Sequence, residues 1–431
     1  GRGVVHQFSM LLPEDGPDGI TQVGLGLDYR RAEHAPFTRG YEPPTDTVTG
    51  PSTVAIAGLK VELVPAPSDA DDNINIFFPD LDLCVNNIAW PTLFNVFAIR
   101  GESYRDPQVL LAGLDGILAF GPKHLVGAHG PPLSGRTRIE AAVTDARDAI
   151  QYLWDQTVRG LNRGLSQGEL VEFVQLPDRF DRSYLTQQNY GLVEHHVRQI
   201  HIGLVGWFDG FEASLFPVPT AERCRRLIDG FGGREVVTER AATALDGDDL
   251  RWALELATWP VRADGGTEAE RGLLAAVLRA IGQRTTSANV RGWCLTRALE
   301  LEGSVDVDRY RTHRFGRGQV AATPPEVSIG SLRVLLDPER ADGVDDHLRW
   351  RIASGSGETV CGLRMRNQVA VPTDGAAAEL ELAMDCDALA DVLSGRVTLS
   401  EAVAEGTVEV GGDPDRVGRI LACFEVPSLA G

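Results

Sequence analysis

Leu125-Val126-Gly127-Ala128-His129-Gly130-Pro131-Pro132, followed by apolar residues at Ile139, Val143, Ala146, Ile150 and Leu153, marks the point where the chain changes character. The first four residues are a short apolar run closed by glycine and two prolines, the pattern of a buried strand ending in a loop. The second set recurs every three or four residues, as the buried face of a helix does, with Gly160 and Gly164 as its stop signals. His129, at the strand end, is placed to offer a neutral imidazole to a divalent metal. A purely structural role is the plainer reading of a lone histidine.

Upstream, residues 18–135 read as strands and loops. Residues 54–64 alternate as a hairpin does, and residues 75–78 form a short apolar run stopped by Pro79. Val109, Leu110, Leu114 and Ile117 sit at helical spacing within residues 106–120. Strand and helix alternation predicts an α/β layer. Downstream, residues 137–302 read as helices. Ser166-Gln167-Gly168-Glu169 has capping-box spacing, and helical periods continue over residues 184–208, 220–228, 248–263 and 268–303, with residues 249–257 read as a helical hairpin. A basic stretch with Arg309, Arg311, Arg314 and Arg317 ends in Pro324-Pro325 and reads as a linker. Beyond it, strands are expected at residues 327–329, 332–336, 348–352, 360–365, 378–384 and 407–410, and helices at 385–393, 399–405 and 413–424.

A length of 431 residues predicts two or three domains. The 41 Lys and Arg against 61 Asp and Glu give a net charge of −20, which repels phosphate backbones and anionic lipid, so no nucleic-acid partner is expected. No apolar run has the length a membrane-spanning helix needs, so no membrane span is expected. Cys84, Cys224, Cys294, Cys361, Cys386 and Cys423 lie far apart without a C-x-x-C pair, which fits a reducing, cytoplasmic setting. An anionic substrate would need a local cation in this acidic chain. Arg100 closes the apolar run of residues 93–99, where a dry arginine must be paired or must bind an anion. A bridge to Glu102 or Asp106 is equally consistent. Pro67-Ser68-Asp69-Ala70-Asp71-Asp72-Asn73 crowds three carboxylates into one turn, either a cation site or a solvated loop. His195-His196 lies within a predicted helix, where neighbouring side chains diverge, and reads as structural.

These segments, with Gln22-Val23-Gly24-Leu25-Gly26-Leu27, residues 86–105 and Gly206-Trp207-Phe208-Asp209-Gly210 before Leu215-Phe216-Pro217, resemble the zinc-dependent alkylsulfatases of the metallo-β-lactamase superfamily. The resemblance implies a mixed α/β chain in family order. A partial metallo-β-lactamase-like αββα layer would span residues 1–136, an all-α helical dimerisation domain 137–303, a linker 304–325, and a small α+β sterol-carrier-protein-2-like domain 326–431. It implies metal ligands at Asp69, Asn87 and His129, with Asp71 as a substitute because Asn87 stands where the family has a carboxylate. It also implies substrate contacts from Arg100, Asn95, Gly24 and Gly26. The family's H-x-H-x-D-H motif has no counterpart in residues 1–23. Two zinc ions therefore belong to the intact family site, and the expectation for this chain is an incomplete one. Either it is the C-terminal part of a longer enzyme, inactive alone, or its metal site has been lost.

The expected activity is metal-dependent hydrolysis of an alkyl sulfate or similar amphiphilic anion by metal-activated water, in a homodimer. The alternative is a non-catalytic dimeric module with a degenerate hydrolase fold that binds a lipid or other apolar ligand. In the first case the C-terminal domain would offer an apolar trough to the substrate's tail.

Overall fold

Six strands, β1 (Ser52–Ile56), β2 (Leu59–Pro65), β3 (Ile74–Phe78), β4 (Leu83–Asn86), β5 (His124–Gly127) and β6 (Leu133–Ser134), form one sheet in chain order in the computed structural model. The model describes residues 5–6, 11–21, 44–96, 99, 104–307, 315–355 and 357–430. All neighbours are antiparallel except β4 and β5, which are parallel with Asn86 opposite Gly127. The crossover between them is α1 (Pro107–Phe120), as a parallel pair requires. Asp106 caps α1 by accepting from the Gln108 amide, Pro107 fills its first position, and Gly121 ends it at φ 56°. The helix buries Leu110, Leu114 and Ile117.

The chain divides into two compact units, Gly1–Tyr310 and Arg311–Gly431. In the first, the sheet is followed by helices α2 (Arg136–Leu161), α3 (Gln167–Phe173), α4 (Val193–Val205), α5 (Thr220–Gly230), α6 (Arg234–Asp246), α7 (Leu250–Asp264), α8 (Glu268–Arg284) and α9 (Ala288–Leu301). The α2 helix buries Ile139, Val143, Ala146, Ile150 and Leu153, the spacing seen in the sequence. Its larger apolar side chains each contribute about 2 kcal/mol on burial. Ser166 and Glu169 form the capping box that starts α3. Of residues 184–208, expected to be helical, only Val193–Val205 are. The hairpin expected at 249–257 is instead the first half of the single helix α7, capped by Asp249. The period read through 268–303 is broken between α8 and α9, where the Ser287 side chain accepts from the Val290 amide and starts a new helix.

The second unit is a five-stranded sheet in the order β11-β10-β7-β8-β9, where β7 is Asp346–Ser354, β8 Gly357–Arg366, β9 Val369–Thr373, β10 Leu380–Asp385 and β11 Val408–Gly411. Helices α10 (Arg317–Ala321), α11 (Pro325–Gly330), α12 (Cys386–Leu393), α13 (Leu399–Ala404) and α14 (Pro414–Ala422) complete it around a core that includes Trp350, Leu363 and Phe424. The strands expected at 327–329 and 332–336 are helical: α11, then a 3₁₀ turn at Ser331–Leu335. Pro325 at the first helical position is pre-set for a helix, and a short apolar run carries no period to oppose it. The α10 helix lies within the stretch read as linker, tied by Arg317 to Asp387 and Asp391 of α12.

Candidate active site at one end of the first sheet

Parallel neighbours send the loops that follow them to the same end of a sheet, where α/β folds place their ligands. Here the loop after β4 carries Asn87, Trp90 and Asn95, and the loop after β5 carries His129. Strand β3 runs antiparallel to β4, so the β2–β3 loop, which holds Ser68 to Asn73, opens at that end as well.

Hydrogen bonds lock the three loops together. Asn86 Oδ1 accepts from the amides of Ile88 (2.9 Å) and Ala89 (2.7 Å), which turns the chain sharply out of β4. Asn86 Nδ2 donates to the Val126 carbonyl on β5 at 3.1 Å. Ser68 Oγ donates to the Asn87 carbonyl at 3.0 Å. Asn87 Nδ2 donates to Asp69 Oδ1 at 2.7 Å and to Asn73 Oδ1 at 3.0 Å, while Asn87 Oδ1 accepts from Trp90 Nε1 at 3.1 Å. Asn73 Nδ2 donates to the same Asp69 oxygen at 3.0 Å. The Trp90 ring meets His129 edge to face, with centroids 4.5 Å apart and planes at 87°. Asp69, Asn87, Trp90 and His129 are therefore one connected group. Burial lowers the His129 pKa, and the Asp69 carboxylate partly opposes that shift. The imidazole is held neutral at neutral pH, the form that binds metals.

Asp71 is exposed in the acidic loop and, with Asp69, Tyr104 and Arg105, lines a cavity of about 380 Å³. Asn95 is buried, and among the described residues neither its side-chain oxygen nor its nitrogen has a hydrogen-bond partner, whereas its carbonyl accepts from Arg105 Nη1 at 2.9 Å. An orphaned buried amide suits contact with a polar ligand. Arg100, Gly24 and Gly26 lie outside the described residues. Of the two adjacent histidines, His196 is fully buried against Gly191, and burial pushes its pKa down to about 3.

Asn73, Trp90 and Arg105 escaped the residue-by-residue reading. Arg105 had a signal, a cation immediately before the Asp106-Pro107 helix start; Asn73 and Trp90 act only through partners distant in sequence.

Asp69 and His129 suit a zinc ion: an exposed carboxylate and a neutral imidazole at one sheet end. Asn87 does not, because it turns its amide nitrogen toward Asp69 and spends its oxygen on Trp90. Among the described residues no three His, Cys, Asp or Glu side chains gather as a metal-holding group. A zinc site takes at least three protein ligands, which the described residues alone do not supply.

Two family models match the chain, alkyl sulfatase dimerisation over residues 166–304 and alkyl sulfatase C-terminal over 316–430. A linear primary-alkylsulfatase of Pseudomonas sp. (strain ATCC 19151) is 36% identical over 395 residues, 89% of this chain and 74% of its own length. An overlap of that extent takes in all three loops of the site. An (R)-specific secondary-alkylsulfatase of Pseudomonas sp. is 26% identical over 97% of this chain, which spans 63% of that relative's length. In fold, the chain is similar to the stereoselective inverting sec-alkylsulfatase Pisa1 from Pseudomonas sp., with a TM-score of 0.85 at 24% identity, covering 98% of this chain and 67% of that one.

Proposed function

Because the chain belongs to the alkylsulfatase family, we propose that the protein hydrolyses alkyl sulfate esters, consuming water and releasing sulfate and the parent alcohol. The observation that carries this reading is the convergence of Asp69 and His129, bridged by Asn87 and Trp90, at one end of a sheet in a chain of this family. Asp69 and His129 would hold a zinc ion together with donors from outside the described residues. When bound, such an ion supplies Lewis acidity toward water and toward the sulfate oxygens. Asn73 and Asn87, with a longer bond from Ser68 Oγ, orient the Asp69 carboxylate through Oδ1, and among the described residues no hydrogen bond reaches Oδ2. Asn95 would offer the anionic head a buried amide that has no partner among the described residues, and Arg100 is proposed as its counter-charge. The same family membership supports a homodimer.

The test is sulfate release from dodecyl sulfate by the full-length protein. His129→Ala and Asp69→Ala are each expected to lower the rate about 100-fold or more, the scale on which metal sites lose function when their shells are cut. Rates equal to the parent's in both variants would overturn these roles, and no release by the parent would overturn the activity.

One observation favours a second reading, a degenerate hydrolase fold kept for dimerisation and for carrying an apolar ligand. Asn87 satisfies Asp69 with an amide where the resemblance calls for a second carboxylate. Metal analysis separates the two: about two zinc ions per chain in the purified full-length protein supports hydrolysis, and none supports the binding module.

A further inference from the structure

Helix α7 carries Arg251, Leu254, Thr258 and Arg262 at steps of three, four and four residues, which puts them on one face of the helix. That face is one wall of a groove of about 600 Å³, and Leu278 and Ile281 of α8 with Val290 and Trp293 of α9 line the rest. Leu254, Ile281, Val290 and Trp293 are only partly buried, so the groove offers apolar surface to a ligand. Its volume lies within the range of about 300–1,000 Å³ in which proteins hold small molecules. Arg251 and Arg262 stand eleven residues apart, so the α7 wall is roughly 16 Å long, the reach of an extended chain rather than of a compact ligand.

The charges on this lining are uneven. Arg251 pairs with Glu194, Arg284 with Asp248 and Arg297 with Glu300. The fourth arginine, Arg262, has no carboxylate partner among the described residues. Neither has Arg223 of α5, which lines a second cavity that meets the groove along Leu254, Thr258 and Arg262. Burial raises the Cys224 pKa, and Arg223 and Arg262 both oppose that rise, so the two cations stand near one thiol. The carboxylate in that cavity, Glu255, accepts from Trp259 Nε1 at 3.1 Å. In a chain of net charge −20, two arginines without a counter-ion beside an apolar groove form a local seat for an anion. A guanidinium fork holds the paired oxygens of a carboxylate or a sulfate.

We propose that this groove is a second ligand site, for a single-chain amphiphilic anion whose head lies at Arg223 and Arg262 and whose tail runs along Leu254, Leu278 and Trp293. Of the loops that form the candidate active site, only Ile99 reaches its lining; Asp69, Asn87, Trp90 and His129 take no part. The ligand chemistry is shared by a fatty carboxylate and by an alkyl sulfate or sulfonate. The site stands whether or not the chain hydrolyses sulfate esters, because no metal-binding loop contributes its cations.

Calorimetric titration of the 431-residue chain with decanoate, kept below micelle formation, tests this. One equivalent per chain is expected. Octanoate should bind about tenfold or more weakly, since each buried methylene is worth about fourfold, and decyltrimethylammonium, with the same tail and the opposite charge, should not saturate. Arg223→Glu with Arg262→Glu reverses two exposed charges and is expected to weaken decanoate about 30-fold or more while circular dichroism shows the fold kept. Arg262→Gln, which removes one charge and adds none, should weaken it about tenfold. Asp69→Ala with His129→Ala should leave the decanoate affinity within about twofold. Decanesulfonate distinguishes the two sources: tighter binding than decanoate marks an alkyl-sulfate-like ligand, weaker binding a fatty carboxylate, and either supports the site. No binding by the parent, equal binding of the cationic amphiphile, or decanoate affinity unchanged in both arginine variants would overturn it. Loss of decanoate in the Asp69 and His129 variant would also overturn it, because the anion would then belong to the candidate active site.

Discussion

Asn87 Nδ2 lies 2.7 Å from Asp69 Oδ1, so an amide hydrogen fills the position where the resemblance to alkylsulfatases calls for a second carboxylate and a cation between the two. The Asp69 carboxylate is thus satisfied by a neutral donor rather than by a cation. Asn87→Glu removes the donor and sets two carboxylates side by side, which repel unless a cation joins them. The variant is expected to bind zinc about tenfold or more tightly than the parent chain, in line with the effect of changing one group at a metal site. It should also be less stable in chelator and recover on zinc addition. Competition with a chromogenic chelator reads the first effect and thermal unfolding the second; equal zinc affinity in the two proteins would deny Asp69 a place at a metal site.

The join between α2 and α3 depends on the absence of one side chain. A Cβ at Gly160 would stand 2.3 Å from Leu170 Cδ2 and 3.1 Å from Phe173 Cδ1. Alanine normally stabilises a helix interior by up to about 1 kcal/mol over glycine. Here overpacking, at about 1–3 kcal/mol, exceeds that gain. Gly160→Ala is therefore expected to lower the urea midpoint, whereas Gly168→Ala, with nothing within 4 Å of its new methyl, is not. A raised midpoint for Gly160→Ala would contradict the packing.

The same contrast explains what could be read without coordinates. Helix α2 was legible because Ile139, Val143, Ile150 and Leu153 are large and regularly spaced, and the start of α3 because Ser166 and Glu169 form a local motif. Helix α6 left no such trace, since it buries only Val237, Ala241 and Ala244, too small a face to stand out. Strand β9 was hidden by Pro372, which an edge strand tolerates but which breaks a strand pattern in sequence. In the site, Asp69 and His129 were legible as residue types that bind metals. The roles of Asn73 and Trp90 depend on sheet pairings that bring the loops of residues 66–73, 87–96 and 128–132 to one end, and no local pattern records those.

A buried histidine outside the site, His196, is expected to make the fold less stable in acid. Burial, reinforced by electrostatic repulsion from His195 and Arg105, moves His196 from an ordinary 6.5 to about 3. Below pH 6.5 the unfolded chain therefore takes up a proton that the folded chain refuses. The stabilising contribution is complete above that pH and is lost progressively as the pH falls toward 3. His196→Leu removes the titrating group together with two ring nitrogens that have no hydrogen-bond partner among the described residues. Urea midpoints at pH 7 and pH 5 should fall less between the two conditions for the variant than for the parent, and an equal fall would place the acid sensitivity elsewhere.

Trp90 packs edge to face against His129, and its ring contact and its hydrogen bond separate by substitution. Trp90→Phe retains an aromatic ring beside the imidazole but loses the Nε1 donor to Asn87 Oδ1. A lost hydrogen bond of this kind costs about 1 kcal/mol, and the His129 pKa is expected to stay low because burial, the larger cause of its shift, persists. Trp90→Ala removes the ring that covers one side of His129. Water then reaches the ring, the burial that depresses its pKa is relieved, and the Asp69 carboxylate, which acts in the opposite sense, remains. The His129 pKa should rise toward or beyond its ordinary 6.5, followed by NMR titration of the ring protons, so that metal binding in this variant weakens at a higher pH than in the parent. An unmoved titration in Trp90→Ala would mean that some other part of the fold excludes water from His129, and the tryptophan would be left with its hydrogen bond to Asn87 as its only contribution to the site.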